Sequence, residues 1–339
     1  MRCLLGVLIV GALAVPTWAA PVVDGTRDAE YGVAVAVQAV ETQFGDANPP
    51  GNLGGSELDA AYARVEGGRL YIMLTGNQEP NFNKLEIFID SVAGGENTLS
   101  GTPQYDFSPS PGFWISQNLA GLTFDAVFAA DYHLFSRWGG GPGPFEVDFV
   151  NRSGGGSATV PGASAAGSAA VGLVSTGTIP AGDIGPNASG SSLTQNLDFA
   201  IDDNNAAGVS GGTGTANVAA ALAVTTGMEF SIALADLGNP SIGSTIKIAA
   251  MIGNGDHNYL SNQILGSLVP PKGNLGGDGN GGFTGSLGGV NFNELTNLDP
   301  FSGVGGPQFF TVLVVPEPST LVLAGLSLVG MLGFGRRRK

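Results

Sequence analysis

Apolar residues between positions 33 and 314 fall into short runs, not helical stripes. Val33, Val35 and Val37 alternate with smaller or polar neighbours. Leu70–Leu74 and Leu85–Ile89 are compact runs bounded by turn residues, and Phe124–Phe128, Tyr132–Trp138, Phe145–Val150 and Leu197–Ile201 continue the series. Glu229–Leu234, Ile246–Ile252 and Phe309–Val314 complete it. Runs of this length, punctuated by Gly, Pro, Asn and Asp, predict strands. The fold class expected is all-β, a β-sandwich or jelly roll. Ala216–Val224 is ambiguous: its alanines suit a helix, but the flanking Gly and Thr favour a strand, which is the expectation taken. Helix is expected only at the two ends of the chain.

Both ends carry longer apolar stretches of a different kind. At the start, Arg2 precedes an apolar run from Leu4 to Val15, followed by Pro16-Thr17-Trp18-Ala19-Ala20. This pattern predicts a secretory signal peptide over 1–19, as a helix through the apolar run. Cleavage after Ala19 puts Thr17 at −3 and keeps Pro21 away from +1. At the other end, Pro316-Glu317-Pro318 precedes an uncharged run, 319–335, and Arg336-Arg337-Arg338-Lys339 follows. The prolines predict an extended, accessible backbone. The run of about 17 residues makes a helix of roughly 25 Å, the short end of what spans a bilayer. The four cations stay on the cytoplasmic side and leave the rest of the chain outside. This tripartite tail, 315–339, resembles the PEP-CTERM sorting signal of Gram-negative bacteria that make extracellular polysaccharide. The resemblance implies a membrane protease, exosortase, as a partner that cuts near Pro316–Pro318. It also implies a protein held in the inner membrane before processing, then placed at the cell surface or outside the cell.

Composition narrows what lies between. The lone cysteine, Cys3, sits inside the predicted signal, so the body, 20–314, has no disulfide, thiolate metal site or cysteine nucleophile. About 290 residues without covalent staples must be held by a core, and that length is ample for one. Five of the 13 basic residues lie in the signal and the closing cations, leaving eight against the 28 acids between Asp24 and Glu317, a charge of about −20. Such a surface repels phosphate backbones and argues against nucleic acid as a partner, while suiting divalent cations. Glycine, 56 of 339 residues, disfavours helices. Between about Gly154 and Gly190 the chain is rich in Gly, Ser, Ala and Pro. It reads either as a linker between two domains or as a decorated connection in one sandwich, with Ala169–Thr176 as part of a strand pair; the single sandwich is the expectation.

The body carries a second resemblance. Residues 55–62, the strand pair around Leu70–Asn77 and Asn81–Asp90, Gly94-Gly95-Glu96-Asn97 and Asp256–Gln263 are similar to a group of secreted PEP-CTERM proteins from planctomycete-like bacteria. Asp24-Gly25-Thr26 and the strands after it resemble family 9 carbohydrate-binding modules. Neither resemblance brings an active site onto these positions.

Candidate chemistry is thin. His133 and His257 are far apart and form no His-x-x-x-His pair. Gly208-Val209-Ser210-Gly211-Gly212 matches the nucleophile elbow, and 277–282 matches Gly-x-Gly-x-x-Gly, but neither has the strand before and helix after that the chemistry needs. Asp202, Asp203 and Asn205 offer oxygens for a loose calcium cage, or simply cap a turn; no other cofactor is expected. Asp90, Glu96 and Asn97 are a second, poorer set of the same kind. Trp114, Tyr132 and Trp138 fall beside glycine-rich turns and are the candidate sugar-stacking rings, or else core. The expectation is an exported, non-enzymatic surface or matrix protein with polysaccharide as candidate ligand. The alternatives are a structural or adhesive protein with no discrete ligand, or a secreted glycoside hydrolase using two carboxylates.

Overall fold

The computed structural model describes residues 19–44, 55–106, 115–139, 144–152, 173–182, 193–205, 207–266, 268–295 and 307–315, and the backbone of 164–168. The expected signal peptide and its helix, and the tail 316–339 with its spanning helix, lie outside the described residues. Among the described residues no helix is long and apolar enough to cross a membrane.

The body is mostly β, built of two antiparallel sheets. The first contains β1 (Ala36–Val37), β2 (Glu57–Glu66), β3 (Arg69–Asn77), β8 (Val174–Ile179), β9 (Leu197–Asp202) and β10 (Gly227–Ala233), in the order β1-β2-β3-β10-β9-β8. The second contains β4 (Asn81–Asp90), β5 (Tyr132–Gly139), β6 (Phe145–Asn151), β7 (Ser164–Ser168), β11 (Thr245–Gly253), β12 (Leu260–Leu265) and β13 (Phe310–Leu313). Its order is β12-β11-β4-β5-β6-β7, and β13 and β12 take successive halves of one edge of β11.

Strict alternation assigns the faces. Leu85, Ile87 and Ile89 of β4, Leu134 and Trp138 of β5, and Val147 and Phe149 of β6 point inward. They meet Leu70, Ile72 and Leu74 of β3 and Phe199, Phe230 and Ile232 from the first sheet in one core. That core draws on both sheets, as in a sandwich. Two glycines mark close backbone approach: a Cβ at Gly76 would run into the Glu57 carbonyl, and one at Gly227 into that of Leu74.

The second sheet has a cover on its outer face. Phe88, Ala249, Met251 and Ile264 pack there against Leu99, Leu119, Leu122, Phe124 and Phe128 of the β4–β5 connection. Leu275, Leu287, Val290 and Phe292 of the β12–β13 connection complete that layer. This sheet is therefore buried on both faces, which places a second core above it.

Several expectations change. Val218–Ala223 is a short helix, α1, not a strand: Asn217 caps it by accepting from the Ala220 N–H at 3.2 Å, and alanine propensity does the rest. Phe124–Phe128 is no strand either. Its rings, with centroids 4.8 Å apart, anchor the cover from a turn closed by Phe128 N–H to the Asp125 carbonyl. Val33 is exposed, and its run shrinks to β1. In the Gly-Ser-Ala stretch, β7 and β8 are edge strands of different sheets, not a pair. β12 is not among the expected strands; its Ser261, Asn262 and Gln263 are polar, yet all three are buried.

Candidate functional site

Beneath the cover, the outward positions of the second sheet bring together most of the buried ionisable groups among the described residues. Alternation sends Lys84, Glu86 and Phe88 of β4 outward, beside His133 and Phe135 of β5 and Asp148 and Val150 of β6. Loops add Glu96, Tyr105, Asp106, Arg152 and His257, all buried. His257 reaches in from the β11–β12 turn in a left-handed conformation (φ 54°), which histidine tolerates better than most side chains. Asn254 pins that turn by accepting from the N–H groups of Asn258 and Tyr259.

One continuous network runs through these groups. Arg152 donates to the Tyr105 hydroxyl (2.8 Å), so that hydroxyl is free to donate to His133 Nδ1 (2.7 Å). His133 Nε2–H then donates to Glu86 Oε2 (2.8 Å). The other oxygen, Oε1, accepts from His257 Nδ1–H (2.6 Å), which leaves His257 Nε2 to accept from Lys84 Nζ (2.8 Å). Lys84 Nζ also contacts both Asp106 oxygens, at 3.0 and 2.8 Å. At the far end Arg152 donates to Glu96 and to the carbonyls of Ser100 and Thr102. The network fixes both histidine tautomers.

Burial decides the protonation states. It pushes His133 down to about 4, against the pull of Glu86, so the ring is neutral at pH 7. Burial also disfavours the Glu86 charge, but the two imidazole donors, His257 and His133, outweigh it and hold this carboxyl well below its usual range. Lys84 is lowered by burial against the attraction of Asp106. Asp148 is pushed up to about 8, first by burial and then by the charge of Asp106. Its Oδ1 accepts the Phe149 N–H, and its Oδ2 has no hydrogen-bond partner.

The residues singled out from sequence fare differently. Trp138 and Tyr132 are buried in the inter-sheet core, with Tyr132 stacked on Phe149, so neither presents a face to a sugar. Trp114 lies outside the described residues. Asp203 accepts from Gln78 N–H and Asn77 Nδ2, and Asn205 donates to Asn77 Oδ1 and Asp59. Asp202 closes an Asx turn on Asn204. These oxygens are occupied in capping and bridging, the turn-forming use of Asp and Asn. Among the described residues no three of His, Cys, Asp and Glu group as metal ligands. Of the poorer set, Asp90 pairs with Lys247, Glu96 with Arg152, and Asn97 donates to three carbonyls of the cover. Ser210 of the elbow-like motif follows a bend at Gly208-Val209, its carbonyl is taken by Thr42 N–H, and no helix starts directly after it. Sequence reasoning missed the network itself. The signal was present as polar residues alternating with apolar ones in Lys84–Ile89 and Tyr132–Trp138, but that pattern ordinarily marks a solvent face.

Beyond Val314, the last buried residue of the sandwich, the chain turns outward at Val315. The family model of the PEP-CTERM protein-sorting motif matches residues 314–339. The chain carries a PEP-CTERM sorting motif. The match takes in Pro316, Glu317, Pro318 and the closing cations Arg336–Lys339. The motif implies export, anchoring in the membrane and recognition by exosortase, a membrane protease. The sandwich ends where the motif begins, since β13 closes at Leu313. No curated protein and no solved structure matches the chain, so the likeness to family 9 carbohydrate-binding modules finds no support.

Proposed function

We propose that the body is a non-enzymatic structural module, delivered to the cell surface or extracellular matrix and released from its membrane anchor by exosortase. The sorting motif that begins where the sandwich ends is the observation that carries this reading. Two further features support it. The ionisable groups that come together are sealed under the cover, where they hold loops to a sheet and do not face a substrate. The body also lacks cysteine, so polar locking and a double-layered core replace disulfides. Polysaccharide binding through Tyr132 and Trp138 is not retained, because both rings are core.

The test is fractionation of the natural host. The protein is expected outside the inner membrane, ending near Pro316–Pro318, without detectable turnover of a polysaccharide panel. A Glu317→Ala variant is expected to stay in the inner membrane with its tail attached. A surface-released variant with the wild-type end overturns exosortase sorting, and saccharide turnover by the purified chain overturns the non-enzymatic reading.

A further inference from the structure

We propose that Lys84 and Asp106 condense into an intramolecular isopeptide bond, with His257 and Asp148 moving the protons. The inference rests on the geometry beneath the cover and is independent of sorting. Lys84 Nζ touches both oxygens of Asp106, at 2.8 and 3.0 Å, so the amine already sits against the carboxyl group it would attack. Both side chains are held in place by burial, with 0% and 5% of their surface exposed. Reacting groups fixed at such separations behave as if present at effective concentrations of about 10⁵–10⁸ M.

The surroundings supply the rest. Glu86 accepts from His257 Nδ1–H, which turns the basic Nε2 toward Lys84 Nζ at 2.8 Å. Carboxylate, imidazole and nucleophile in that order form the arrangement that removes a proton from an attacking group. Burial disfavours the ammonium form of Lys84. The Phe135 ring lies 5.7 Å from Nζ. Asp148, beside Asp106 and Lys84, is fully buried with a free Oδ2. Kept protonated, it is a carboxylic acid able to donate to an oxygen leaving Asp106. A salt bridge alone calls for neither an imidazole acceptor on the amine nor a neutral acid beside the carboxylate.

The chemistry balances without an oxidant or cofactor. The Nζ lone pair attacks Asp106 Cγ, and a C–N bond forms. Two protons leave the Lys84 ammonium, relayed through His257 and Asp148, and depart with one Asp106 oxygen as water. His257 and Asp148 end as they began. The product ties β4 to the start of the cover, bridging 22 positions of chain in a protein that has no disulfide there.

The experiment is tryptic mapping with intact mass on the folded full chain purified in detergent. Without the bond, trypsin cuts after Lys84 and yields peptides 70–84 and 85–137. With it, cleavage at Lys84 is blocked, and one peptide, 70–137, appears lighter by one water. Recovery of peptides 70–84 and 85–137 at full mass from folded protein overturns the proposal. So does loss of water that persists in Asp106→Ala. Because that variant risks misfolding, Asp148→Asn keeps both reacting groups and the local shape. It is expected to fold, by circular dichroism, and to give mainly the two separate peptides; full cross-linking in it overturns the role assigned to Asp148.

Discussion

Trp138 is where a residue-level reading divides most cleanly. A large ring beside glycine turns serves either a sugar or a core, and its neighbours decide. On β5 the inward positions are Tyr132, Leu134 and Trp138, and Trp138 has no exposed surface. Trp138→Ala is therefore expected to cost about 3–5 kcal/mol through the cavity it leaves, read as a lower urea midpoint. An unchanged midpoint would return the ring to the surface. Glu229 offers a second residue-scale test. Its carboxylate accepts from Asp24 N–H, Gly25 N–H and the Tyr31 hydroxyl, fastening the N-terminal segment to the first sheet. Burial nevertheless raises it from 4.5 to about 7, against those hydrogen bonds. The folded state thus binds the proton more tightly than the unfolded chain. Stability contributed by the protonated form is complete below pH 4.5 and is lost as pH rises through about 7. His133 works in the opposite sense: lowered to about 4, it costs stability as pH falls below 6.5. Glu229→Gln is expected to gain on the wild type by roughly 3 kcal/mol between pH 4.5 and pH values above 7, measured by denaturant titration at each pH. A difference independent of pH would show that folding leaves the proton affinity of this carboxyl unchanged.

At the scale of elements, the cover is what turns a solvent face into an interior. Arg152 is its main fastening, joining the end of β6 to Glu96, Ser100, Thr102 and Tyr105. Replacing it with methionine keeps the apolar stem but leaves Glu96 buried without its cation. The expected cost is about 3–5 kcal/mol, with faster amide exchange over 96–106 than over β4. Uniform protection across both would mean the cover folds as one unit with the sheet. The same element shows what the sequence could and could not convey. Inward strands such as Leu70–Leu74 and Ile246–Ile252 were legible because alternation and burial agree. β2 and β12 were not, since Glu57, Asp59, Asn262 and Gln263 are polar, and Asp59, Asn262 and Gln263 find partners far along the chain. Gln263, for instance, accepts from the Leu58 N–H across the chain. The network was illegible for a related reason. His133 and His257 are 124 positions apart in sequence, yet share Glu86 with ring centroids 6.1 Å apart, a proximity made by topology. The helix at Val218–Ala223 was lost to a flanking-residue argument that its Asn217 cap outweighs.

For the whole molecule, the body and its tail are separable problems, and the tail's three parts should fail in three ways. The cations Arg336–Lys339 resist transfer across the membrane, so deleting them is expected to let the apolar run slip through or insert in mixed orientation. A lysine placed within Leu321–Leu328 costs about 2.5–3.5 kcal/mol at a helix centre on insertion scales, enough to make a span of this length marginal. Both changes act before the protease and should reduce the membrane-bound precursor. Changing Glu317 leaves the apolar run and cations intact, so the precursor should accumulate, correctly inserted, with its tail attached. The sandwich should not notice any of the three, because β13 closes at Leu313, ahead of the matched motif. Pulse-labelling with membrane fractionation separates the cases: less precursor in the membrane for the first two, and a stable inserted precursor for the third. Equal precursor levels and equal processing in all three would show that the tail is read as something other than a sequence of address, span and stop.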